Sequence, residues 1–141
     1  MPRCDNGEPA ISDTLPPLAP DEFVLYDVRV TVERVGPDCT CDMRVGDSFT
    51  ARGGKLYLPD GRSFCLYALQ SALPLIPAKQ RPLQRADWMA TDTRITCPDP
   101  HCQLILRIDR LAPRVLRHAD TSAEPLDPDQ GTAPPGERQQ D

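Results

Sequence analysis

Between residues 24 and 35 the chain alternates with period two: Val24, Tyr26, Val28, Val30 and Val32 fall on one side and Asp27, Arg29, Thr31 and Glu33 on the other. Successive side chains of a strand point to opposite faces, so this pattern predicts a strand of an antiparallel sheet covered on one face only. Gly36-Pro37-Asp38 ends it. After Val45-Gly46-Asp47, Ser48–Ala51 reads as a short strand. The glycine pair Gly53-Gly54 predicts a hairpin turn, because glycine tolerates positive φ, and Lys55–Leu58 returns as the partner strand. Beyond Pro59-Asp60-Gly61 the period changes. Phe64, Cys65, Ala68, Leu69, Ala72 and Leu73 recur at helical spacing behind Ser63, which stands where an N-cap belongs, and Pro74 and Pro77 close the helix. Residues 78–92 read as a polar, proline-containing connection holding the lone tryptophan, Trp88. Thr93–Cys97 and Gln103–Asp109 read as two more strands, with Ile95, Cys97, Leu104, Leu106 and Ile108 facing inward.

The order β-β-β-α-β-β lacks the βαβ rhythm of a parallel sheet. It predicts an α+β fold, a small antiparallel sheet with one helix packed on one face. Both ends look unable to join it. Residues 1–22 hold five of the 17 prolines and residues 118–141 hold four more, with almost no periodic apolar pattern in either. Such segments bury too little apolar surface to offset the entropy of ordering them. The expected organisation is therefore a tail over 1–22, one cysteine-containing domain over 23–117 and an acidic, proline-rich tail over 118–141. A core of about 95 residues is small enough for a metal or a second subunit to help it.

Charge divides the same way. The predicted domain carries a net +4, whereas the tails carry −4 and −5. Its arginines are scattered and its aromatics few, which argues against a nucleic-acid surface. No stretch approaches the 18 apolar residues of a membrane span. Asp5, Glu8 and Asp13 interrupt any signal-peptide layout, so the expected compartment is the cytoplasm, where thiols serve metal binding or catalysis more often than disulfides.

Thiols are the chain's candidate chemistry. Cys39-Thr40-Cys41 and Cys97-Pro98-Asp99-Pro100-His101-Cys102 each place two cysteines in a short loop beside a strand. Two such loops are how a sheet builds a tetrahedral zinc site, so Cys39, Cys41, Cys97 and Cys102 are candidate metal ligands, with His101 able to replace either member of the second pair. The spacings, one residue and four, differ from the two of common zinc knuckles. The bland alternative is a set of buried thiols packing as small hydrophobes. Cys65, at the first turn of the predicted helix with Arg62 nearby, has a setting that favours thiolate, unless it turns toward the apolar sheet. Asp47 and Asp99 are candidate acid–base partners for Cys65, and equally good turn formers. No Gly-rich phosphate loop, nucleophile elbow or His-Glu-x-x-His is present.

Taken in order, these elements resemble a family of small, largely uncharacterised prokaryotic and fungal proteins. The likeness rests on Val28–Val32, Cys39 seven residues before Gly46-Asp47, Phe64-Cys65-Leu66 running to Pro74, and Cys97-Pro98-Asp99-Pro100 before Leu104–Ile108. Thr40-Cys41-Asp42-Met43 departs from the Pro-Ala-Gly-His that often follows the first cysteine there. The resemblance implies an accessory protein of small-molecule, including specialised, metabolism, with a small molecule or a partner enzyme as its partner; a homodimer is the arrangement that the small core would favour. The alternative it leaves open is a tailoring enzyme of isomerase, cyclase or lyase type using Cys65, Asp47 and Asp99.

Overall fold

A computed structural model describes residues 15–129, and Cys4 and the outer part of each tail lie outside them. The order of elements is β1 (Glu22–Arg34), β2 (Ser48–Arg52), β3 (Lys55–Tyr57), α1 (Leu66–Ala72), α2 (Ile76–Gln80), α3 (Trp88–Thr91), β4 (Arg94–Thr96), β5 (Ile105–Arg117) and α4 (His118–Thr121). The five strands form one open antiparallel sheet ordered β3-β2-β1-β5-β4. The fold is α+β, as the periodicity predicts.

The alternation in β1 sets the two faces. Val28, Val30 and Val32 are fully buried, while Arg29 is exposed and Thr31 and Glu33 are half-buried on the other side. Leu104, Leu106 and Ile108, together with Phe49 and Ala51 of β2, complete the sheet's apolar face, and Ala68, Ala72 and Ile76 close over it. Phe49 meets Phe64 edge to face, with ring centroids 5.0 Å apart. Each large side chain buried here stabilises the fold by about 1.5–3 kcal/mol, and these contacts are what hold the short helices in place.

Four differences from the sequence reading have physical causes. The helix starts later than Ser63: Cys65 is its N-cap and makes no side-chain cap bond, and Leu73 is 46% exposed. Pro77 does not close that helix but sits in the first turn of α2, where a missing N–H costs nothing. The expected connection over 78–92 holds the end of α2 and all of α3, the latter capped by Asp87, whose carboxylate accepts from Met89 N at 2.9 Å. Finally, β5 continues through Pro113 to Arg117, and α4 extends structure past the predicted domain end. Pro113 is tolerated because β4 pairs only with residues 105–107, so beyond them one side of β5 is a free edge.

Lys79, though charged, is 2% exposed. Its ammonium donates to the backbone carbonyls of Met89 and Asp92, tying α2 to α3. Arg110 holds the same region to the sheet, donating to the carbonyls of Lys79 and Arg81 at 2.7 Å each while stacking over the Tyr26 ring at 4.8 Å.

Candidate thiol site

The thiols come from three separate parts of the chain. The loop between β1 and β2 carries Cys39 and Cys41. It is closed by Val32 N donating to Asp47 O at 2.8 Å and Gly46 N to Val32 O at 2.9 Å. Asp42 takes the left-handed conformation (φ 52°) that turns the loop back, and Met43 packs into the core. The tight turn between β4 and β5 carries Cys97 and Cys102. Cys97 N donates to Leu104 O at 2.9 Å and Cys102 N to Asp99 O at 3.2 Å. The third contribution is Cys65, just before α1, whose N–H meets the Met43 sulfur at 3.3 Å.

These segments converge at one end of the core. Cys65, Cys97 and Cys102 belong to the buried cluster, Cys39 packs against it half-buried and Cys41 is exposed at its rim. The Cys65 thiol donates to the Cys41 sulfur at 3.0 Å. Cys102 lies beside Cys39 and Cys97; burial first, and then these neighbours, push its pKa up to about 12. For Cys41 the main cause of a rise to about 11 is the hydrogen bond shared by the two sulfurs, which holds a proton between Cys41 and Cys65, with burial and the nearby thiols of Cys65, Cys39 and Cys97 adding to it. Among the described residues, no three or more His, Cys, Asp or Glu side chains stand ready-spaced around one point to hold a metal ion.

A single close approach makes the convergence possible. Gly36 is buried against the backbone of Cys102: a β-carbon there would lie 2.2 Å from the Cys102 carbonyl oxygen and 2.7 Å from Gln103 Cβ. Only a residue without a side chain lets the Cys39 loop rest on the Cys97–Cys102 turn. In the sequence Gly36 reads only as a strand stop, and nothing local signals this second role. Cys65 likewise reads as separate from the other thiols, because only the packing of α1 brings it to Cys41.

The remaining candidates are engaged locally. Asp47 accepts from Arg44 N at 2.8 Å and lies 3.7 Å from the Arg62 guanidinium, so Arg62 answers a carboxylate. Asp99 accepts from His101 N at 2.9 Å within its own turn. Among the described residues, neither carboxylate bonds to a thiol. His101 is exposed on the outside of the turn. Chemically, then, the site is a set of clustered thiols of which Cys41 and Cys102 are held protonated by burial and by their neighbours. That is a poor resting state for a nucleophile, since the thiolate is the reactive form. A soft divalent cation supplies the charge such a group lacks.

Comparison with family models, with curated proteins and with solved structures gave no match.

Proposed function

We propose that the protein is a thiol-rich accessory module of small-molecule metabolism whose cysteine cluster takes up one zinc ion. Cys39, Cys97 and Cys102 supply three thiolates and Cys41 the fourth, with the Cys65 thiol donating to Cys41 as an outer partner. The metabolic part of this reading rests on the family resemblance. The metal part is carried by one observation, the convergence of five thiols from three separate segments on one end of a small core. The raised values of Cys41 and Cys102, which come from the hydrogen bond with Cys65 and from burial with neighbouring thiols added, support it, since thiolates there need a compensating charge that a bound cation supplies. Uptake requires the Cys39–Cys41 loop to close further on the turn, because zinc–sulfur bonds of about 2.3 Å set sulfurs about 3.8 Å apart around a tetrahedron. On this reading the metal stabilises a domain of marginal size and binding releases thiol protons.

The test is elemental analysis of protein purified without an affinity tag, with thermal melting before and after chelation. About one zinc per chain, lost together with a large part of the melting temperature on chelation and absent from Cys97→Ser and Cys102→Ser, is the expected result. A metal content below about 0.2 per chain with unchanged melting overturns it.

A further inference from the structure

The sheet's other face carries a different chemistry. A cavity of about 530 Å³ lies over it, within the few hundred to about a thousand Å³ that small-molecule sites occupy. The strand register builds its floor. Thr50 pairs with Tyr57 on one side and Arg29 on the other, and Arg29 pairs with Asp109, so Tyr57, Thr50, Arg29 and Asp109 form one row across the sheet. The adjoining row holds Ser48, Thr31 and Arg107, again as direct partners.

The charges on this face are unevenly satisfied. Asp27 takes Arg114 at 2.8 Å and Arg52 at 3.4 Å. Glu33 takes Arg94 at 2.7 Å and Arg107 at 3.8 Å, and Asp109 takes Arg107 at 2.9 Å. Arg29 stands in the middle and makes no ion pair among the described residues. Arg29, Arg52 and Arg107 line the cavity against the single carboxylate of Asp109. Around Arg29 stand the hydroxyls of Thr31, Ser48 and Thr50, and one end of the cavity is walled by Tyr57, Leu58 and Pro59. Arg52, over the Tyr57 ring at 5.6 Å, stiffens that wall.

We propose that this face binds a small organic carboxylate with an apolar, ring-sized body. The carboxylate seats on the planar Arg29 guanidinium, whose fork matches it two-pronged, with Thr31 and Thr50 donating hydroxyls. The body lies against Tyr57, Leu58 and Pro59. Charge complementarity selects this occupant: the cavity offers one guanidinium without an ion pair among the described residues, Arg29, with hydroxyl donors around it and an apolar wall beside it. The proposal is independent of the zinc reading, whose thiols lie on the core side of the sheet.

The experiment is a titration of the intact chain with benzoate and with benzamide, its uncharged counterpart, followed by amide chemical shifts. Benzoate is expected to saturate with Kd near about 1 mM, shifting residues 29–31, 48–50 and 57, while benzamide shifts none of them. Arg29→Gln should weaken benzoate at least about tenfold and Thr50→Val by a smaller factor, while Arg85→Gln, outside the cavity lining, leaves it unchanged. Arg29 is exposed, so its replacement leaves the fold in place, and Thr50→Val tests the same row separately. Equal binding of the two probes, no saturable shift up to about 20 mM, or benzoate binding untouched by both variants overturns the proposal. A second copy of the chain closing this face, seen as a dimer that Arg29→Gln dissociates, overturns it as well.

Discussion

Replacing Gly36 with alanine adds one carbon at the most constrained contact in the thiol region. That carbon would sit 2.2 Å from the Cys102 carbonyl oxygen and 3.0 Å from its carbonyl carbon, where relaxed carbon contacts lie at about 3.5 Å. Both obstructing atoms are backbone, so no rotamer change gives relief. The Cys39 loop or the Cys97–Cys102 turn must withdraw by about 1 Å. Overpacking of this kind costs about 1–3 kcal/mol, and a rigid obstacle belongs at the upper end. Reduced freedom of the unfolded chain returns about 0.4–1 kcal/mol, leaving a net loss of about 2 kcal/mol. For a domain near 100 residues that is a melting temperature lower by about 8–16 °C. Gly54→Ala is the internal control, since nothing lies within 4 Å of where its β-carbon would stand and its φ is not left-handed; it should melt at or slightly above the parent. The assay is thermal melting of chelator-treated protein by circular dichroism, so that metal linkage does not enter. A Gly36→Ala midpoint within about 2 °C of the parent would refute the close approach as a constraint.

Two further outcomes follow from side chains on the core's margin. Arg110→Ala removes two charge-assisted bonds to the Lys79 and Arg81 carbonyls and the stack on Tyr26; amide hydrogen exchange over residues 79–92 should quicken while β1 stays protected, and Arg110→Lys should not restore it because an ammonium lacks the planar fork. In metal-free protein the contribution of the Cys41 and Cys102 thiols to stability should be flat below about pH 8 and fall progressively above about pH 9, so that the pH dependence of Cys102→Ala departs from the parent's only in the alkaline range. Between that point and the values of about 11 and 12 held by Cys41 and Cys102 in the fold, the unfolded chain sheds thiol protons that the folded chain keeps, so rising pH favours unfolding. Melting followed from pH 7 to 11 checks the sign, and Cys102→Ala should shallow the decline.

What is legible in the sequence is what a short window encodes. The alternation over 24–35 needs no knowledge of partners, and its five inward residues are all buried. The helix at 66–72 is legible because Ala68, Leu69 and Ala72 repeat at its period. Leu73 fits the same period yet is half-exposed at the C-cap of the helix, where the chain passes through Pro74 into α2. The helices α2 and α3 span five and four residues, too short for any periodicity to show, and they persist through Lys79 and Arg110. Pro113 conceals the outer half of β5, because a proline disqualifies a strand with two neighbours but not one with a free edge.

The thiol site is half legible for the same reason. Each pair is local and so is visible as a pair; that the pairs meet depends on the β1–β5 pairing, which sets Arg34 against Ile105 from far apart in the chain. That pairing carries β1's end, and with it Gly36 and Cys39, to the start of β5, where Cys102 stands. A strand's alternation then gives each face its own chemistry. Val28, Val30 and Val32 look toward the thiols' core while Arg29 and Thr31 look toward the cavity. Because the two sites share a strand but no side chains, a change on either face should act on that face alone, additively with a change on the other. Coupling between Cys102→Ala and Arg29→Gln beyond about 0.5 kcal/mol would mean that β1 transmits strain through the sheet, and the two faces would then have to be read as one device.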